Sequence, residues 1–134
     1  MSVVETEFLL ALREGDPHHE AALRLMEEDT SLSVCGSAFL ELAWLMRSQS
    51  RSDEEIYRAL LLLRVELEEK GIPEIPVTLH QIIRAHQILS EHRHNVTFFD
   101  ALILSNAEES DDRTIVSNDD VFEVTKTLKR TPLK

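Results

Sequence analysis

A single cysteine, Cys35, stands in the whole sequence. No internal disulfide can form from it, and its isolation suits a reducing compartment. Glycine and proline are scarce, with three and four copies in 134 residues. Connections between elements should therefore be short, and no repeat, low-complexity tract or linker divides the chain. No apolar run approaches the ~18 residues of a membrane span, and no charged segment followed by an apolar one opens the chain as an export signal would. The expectation is a cytoplasmic protein that makes no use of a membrane. Positive charge is in deficit as well: 14 Lys and Arg face 25 Asp and Glu, a net charge of −11. That balance excludes simple electrostatic capture of nucleic acid, which sets cations against phosphates. It leaves open action on phosphates through carboxylate-held divalent ions.

What is present suffices for a core. Hydrophobic residues make up 43% of the chain, and a chain of this length buries roughly 65–70% of its unfolded surface. Residues 1–134 therefore read as one domain. "SVVE" at the start is a short buried strand, and Thr6 caps a helix over 7–13 that ends near Gly15. Asp16 and Pro17 open a second helix, with Ala21 and Leu25 on its apolar face. "SLSVCG" is a second strand, followed by a helix capped by Ser37 and running to Met46. A long helix spans Ser52 to Gly71, and "PEIPV" is a third strand. Thr78 with Gln81 and Thr97 with Asp100 have the spacing of capping boxes and open two further helices. "TIVSN" is a fourth strand, "DDVFEV" a short helix, and "TPLK" a last edge strand. Short apolar strands alternating with helices predict an α/β fold on a parallel sheet.

On such a sheet, ligands bind beyond the carboxyl ends of the strands. Glu5 ends the first strand, Glu41 lies in the first turns of the helix after the second, Asp100 lies in a first helical turn, and Asp119 and Asp120 follow the fourth strand. Any one of these acids is accounted for by the preference of carboxylates for helix N-termini. Four segments delivering carboxylates to one edge, among apolar neighbours such as Phe98, Phe99, Leu40 and Leu42, are less easily explained that way. Crowded, half-buried carboxylates repel and take up protons unless a cation intervenes. The cation suited to an all-oxygen set is Mg²⁺ or Mn²⁺.

Taken in order, these segments resemble a PIN-domain ribonuclease of the VapC toxin type. The carrying motifs are "VVETEFLLAL" at the start, Glu41 in "SAFLELAWLM", Asp100 in "TFFDALILSNAEES", and Ser117, Asp119 and Phe122 in "IVSNDDVF". The resemblance covers nearly the whole chain. It implies a three-layer α/β/α sandwich around a parallel sheet of about five short strands. It implies a metal-dependent endoribonuclease, with Glu5, Glu41, Asp100 and Asp119 as catalytic residues and ligands to Mg²⁺ or Mn²⁺. Thr6, Ser117 and Asp120 would orient those ligands or water. The partners implied are an RNA substrate, a small antitoxin protein and a second copy in a homodimer. Two positions depart from the family pattern: Glu5 stands where Asp is usual, and Ser117 where Thr is usual. The extra methylene of Glu5 displaces its carboxylate by about 1.5 Å. A PIN-like scaffold that binds RNA or a protein without cutting is therefore the alternative, and a phosphoacceptor receiver-like domain a more distant one, because no lysine follows a late strand at a suitable place.

Other features carry less. The helix over 53–70 has an apolar stripe of Ile56, Leu60, Leu63 and Leu67, widened by Ala59, Leu61, Leu62 and Val65. That width fits either deep packing or a surface for a second chain. The six histidines form no i, i+4 pair and read as surface residues. Glu7 reads as a solvated first-turn acid. Trp44 could line the site or fill the core, and Arg13, Arg47, Arg51 and the basic tail 126–134 are candidate phosphate contacts.

Overall fold

Val3 and Val4 are apolar on both faces of the chain, the pattern of a strand covered by helices on both sides of a sheet. In the computed structural model, which describes residues 2–134, they are fully buried in the middle strand. That strand, β1 (Ser2–Val4), is flanked by β2 (Ser33–Cys35) and β4 (Thr114–Val116), with β3 (Glu74–Ile75) and β5 (Lys129–Thr131) at the two edges. The order is β3-β2-β1-β4-β5 and every pair is parallel. The chain builds outward from β1 to β3, then crosses back to β4 and β5. The reversal of direction falls between β1 and β4, where an open parallel sheet leaves a crevice at its carboxyl edge.

Six helices cover the sheet: α1 (Thr6–Ala11), α2 (His19–Glu28), α3 (Gly36–Ser48), α4 (Asp53–Glu69), α5 (Leu79–His92) and α6 (Phe98–Ala107), with a 3₁₀ turn at Asp120–Glu123. The α/β layering expected from the sequence is the one found, and the buried apolar residues form a continuous cluster through it. Capping boxes are present at Ser52/Glu55, Thr78/Gln81 and Thr97/Asp100. No helix among the described residues is long and apolar enough to cross a membrane.

Several starts differ from expectation, each for a local reason. Glu5, not Thr6, caps α1: the strand runs straight into the helix, and the Glu5 carboxylate accepts the Glu7 N–H at 3.1 Å. Helix α2 begins at His19 rather than Pro17, because Asp16 accepts the His18 N–H at 2.8 Å and closes a separate turn. Ser37 lies inside α3, its hydroxyl committed to Asn106. The last strand is 129–131, not 131–134, since Pro132 has no N–H to continue the ladder. The opposite edge strand, β3, is bracketed by Pro73 and Pro76.

Asn106 joins four segments. It is fully buried in the last turns of α6. Its Nδ2 donates to the Ile75 and Pro76 carbonyls at 3.1 and 3.3 Å and to Gln81 Oε1 at 2.9 Å, while its Oδ1 accepts from the Ser37 hydroxyl at 3.2 Å. It thereby ties β3 and the starts of α3 and α5 to α6. Beside it, a Cβ on Gly36 would lie 2.7 Å from the Ile75 carbonyl oxygen, so only glycine lets α3 start this close to β3. Replacing Asn106 by Ala leaves several buried polar groups without partners, and urea unfolding is expected to show a loss of about 2–4 kcal/mol.

Candidate active site

The register of β1 with β4 pairs Val4 with Val116. The next residues, Glu5 and Ser117, therefore leave the sheet side by side at its carboxyl edge. Both are buried, Glu5 at 5% exposure and Ser117 at 0%. Burial pushes the Glu5 carboxyl up to about 8; the negative charges of Glu7 and Glu41 push the same way, and hydrogen bonds from the Glu7 N–H and the Ser117 hydroxyl oppose them.

Glu41 enters from α3 and is half-buried. Its carboxyl is also raised, first by burial and then by the charges of Asp100 and Asp119, against the Thr6 hydroxyl, which favours the ionised form. The Thr6 hydroxyl is buried, but no hydrogen bond of ordinary geometry reaches it; its influence on Glu41 is that of a nearby dipole rather than a made bond. Asp100 is the N3 residue of α6: its Oδ2 accepts the Thr97 N–H at 3.0 Å. Asp119 is exposed and caps the 3₁₀ turn, its Oδ1 accepting the Val121 N–H at 3.0 Å and its own N–H donating to Ser117 Oγ at 3.1 Å. Asp100 and Asp119 share the wall of an open cleft of about 560 Å³ with Asn95, Asp120 and Glu123.

The four expected acids are thus neighbours. Glu41 is the hub: it feels Asp100 and Asp119, and Glu5 feels it. Asp120 lines the cleft with an exposed side chain. Every donor in the set is an oxygen, and the two most buried members, Glu5 and Glu41, have raised proton affinities, first through burial and then through neighbouring negative charge, so the chemistry of the set fits a hard divalent cation. Among the described residues no three His, Cys, Asp or Glu side chains converge closely enough to enclose an ion.

Glu7 is not simply solvated. It is half-buried, and its Oε1 accepts the Asn118 N–H at 3.1 Å, joining α1 to the segment that carries Asp119. The sequence offers Glu7 as a first-turn acid but gives no sign of its partner, and nothing in it singles out Asn118 beyond its place next to an expected ligand. Trp44 is 55% exposed and leans on Phe99, ring centroids 5.7 Å apart, so it does not fill the core. Arg47 and Arg51 are paired with Asp53 and Glu55. Of the stripe on α4, Ile56 and Leu67 are buried and Leu60 and Leu63 pack partly buried against the core, while Leu62 and Val65 on its widened flank face outward.

An α/β protein with an acidic crevice at the reversal point of a five-stranded parallel sheet is the class defined by this geometry. The PIN domain family pattern matches residues 2–128, and the chain belongs to that family. Among solved structures it is similar to VapC20 of Mycobacterium tuberculosis, a sarcin-ricin loop cleaving toxin, with 20% identity over 93% of this chain and 95% of that one and a TM-score of 0.72. It is similar also to VapBC2 of Rickettsia felis, in a structure bound to a DNA fragment from their promoter, with 16% identity over 99% and 98% of the two chains and a TM-score of 0.71. At these identities the likeness is one of fold. Comparison with curated protein sequences gives no significant match.

The raised Glu5 carboxyl makes stability depend on pH. Between about 4.5 and about 8 the folded chain keeps a proton that the unfolded chain has lost, so metal-free stability falls as pH rises through that window. Glu5→Gln should remove this part of the slope and be more stable than the parent at pH 8 by on the order of 2–5 kcal/mol. Urea unfolding of both proteins at pH 4.5, 6 and 8 in a chelator checks it; an equal gap at all three pH values would refute it.

Proposed function

We propose that this chain is a divalent-metal-dependent endoribonuclease that hydrolyses RNA phosphodiester bonds, and that it is the toxin of a toxin–antitoxin pair. The observation that carries the reading is the meeting of Glu5, Glu41, Asp100 and Asp119, from four separate elements, at the reversal point of a PIN-family sheet. The M. tuberculosis structural relative is a sarcin-ricin loop cleaving toxin, which agrees with it.

On this reading Glu5, Glu41, Asp100 and Asp119 hold Mg²⁺ or Mn²⁺. When bound, such an ion makes water more acidic and offsets charge on the phosphate and leaving oxygen. Glu5 is fixed by its cap on α1 and supplies a ligand that cannot move far. Glu41, between the other acids, would complete the ligand set from α3. Ser117 orients Glu5 and Asp119 through its single hydroxyl. Thr6 contributes the unpaired hydroxyl beside Glu41, and Asp120 the polarity of the cleft wall. The exposed apolar side chains Leu40, Trp44 and Phe98, close in sequence to Glu41 and Asp100, offer a surface for an antitoxin segment or a second copy of the chain.

The second reading, a scaffold that binds RNA or protein without cutting, draws on two facts: Glu5 departs from the usual Asp, and among the described residues no three acids are closed into an ion site. Incubation of purified protein with single-stranded RNA and Mn²⁺ or Mg²⁺ separates the two. Cleavage that stops in chelator and falls by roughly 10²–10³-fold in Asp100→Asn, with circular dichroism unchanged, is the expected result. No cleavage by the parent, with cleavage gained in Glu5→Asp, would establish the scaffold reading instead.

A further inference from the structure

Asn118 stands between Ser117 and Asp119, and the chemistry above makes no use of its side chain. That side chain makes a two-point contact with one residue of the C-terminal tail. Its Nδ2 donates to the Leu133 carbonyl at 3.1 Å, and its Oδ1 accepts the Leu133 N–H at 2.9 Å. Two peptide groups pair in this way across a ladder, so Asn118 adds one rung to the sheet after Pro132 has ended β5. A carboxylate lacks the donor and a hydroxyl cannot span both partners; a carboxamide supplies both.

The tail is a firm support. Leu133 is 3% exposed and belongs to the core cluster. Just before it, the Thr131 carbonyl accepts the Ser117 N–H at 2.9 Å, and the Arg130 guanidinium donates to the Ser117 carbonyl at 3.1 Å. On the other flank, the Asn118 N–H reaches Glu7. The hydrogen bonds of Asp119, by contrast, stay within its own segment, to Ser117 and Val121. Its direction is therefore inherited from the segment, and the segment takes its direction from the tail and from α1.

We propose that Asn118 is a positioning residue, whose clamp on Leu133 fixes where Asp119 and Ser117 are presented to the divalent cation. The proposal rests on the nuclease reading of the site, and the test keeps the two apart. Full-length Asn118→Ala and Asn118→Leu are compared with the parent. Asn118→Leu keeps the branching and the number of side-chain heavy atoms and adds no charge, so it serves if the Ala variant does not fold. Amide hydrogen exchange is measured without metal, Mn²⁺ affinity by calorimetry, and RNA cleavage by initial rates.

Exchange at the Asp119 and Val121 amides should quicken by roughly tenfold while that of α6 is unchanged. Mn²⁺ affinity and kcat should each fall by roughly 10- to 100-fold, with the KM for RNA little changed. Parent-like exchange and Mn²⁺ affinity in both variants, with only a lower melting temperature, would overturn the proposal. If the parent binds Mn²⁺ but cuts no RNA, the nuclease reading falls, and the role of Asn118 is decided by exchange and Mn²⁺ affinity. If the parent binds no Mn²⁺, both fall.

Discussion

The burial of one carboxylate at the end of the central strand governs the organisation of this protein. β1 is flanked on both sides by strands and on both faces by helices, so the residue that leaves it has little access to water. That residue is Glu5. Its ionised form is disfavoured by burial and by the charges of Glu7 and Glu41, and an isolated buried charge of this kind is among the more expensive features a fold can hold. Nearby groups offset this in part: the Glu7 N–H donates to it, and the Ser117 hydroxyl beside it favours the ionised form. A divalent cation would answer it fully, turning mutual repulsion among the acids into shared attraction.

The acids do two jobs with their oxygens. Glu5, Asp100 and Asp119 each accept a backbone N–H at the start of a helix or a 3₁₀ turn. A cap fixes the carboxylate relative to the backbone and leaves a second oxygen for other use. The reading that assigns these residues to helix starts and the reading that assigns them to a cation are therefore compatible. Glu41 is the exception, placed on the side of α3 without a capping role, and it alone is coupled to the acids on both sides.

Much of this was legible in the sequence because it depends on local pattern. Alternating apolar strands and helices, the Thr78/Gln81 and Thr97/Asp100 boxes, and acids placed just after strands all arise from residues a few positions apart. What escaped depends on distant pairs. Asn106 bonds to residues 25–69 positions away, and nothing in "LSNAEE" announces that. The Glu7–Asn118 bond spans 111 positions. Thr6 was a reasonable cap by residue type, but the strand ends so abruptly that Glu5 takes the capping conformation first. The sequence points to 131–134 for the final strand rather than 129–131 because two basic residues disguise the ladder formed by Lys129–Thr131 with β4.

The two ends of the sheet bear on how the protein behaves in a crowded solution. An open parallel sheet exposes a row of unpaired peptide groups at each border, a template on which another chain can add a strand. Here each border is kept short and interrupted. β3 has two residues between prolines, and the Ile75 carbonyl is already occupied by Asn106. β5 carries Lys129 and Arg130 and gives way to Pro132, after which the Asn118 carboxamide occupies the next rung. The sheet is thus finished at both borders, and a five-stranded layer that would otherwise invite sheet-to-sheet growth is limited to a single molecule.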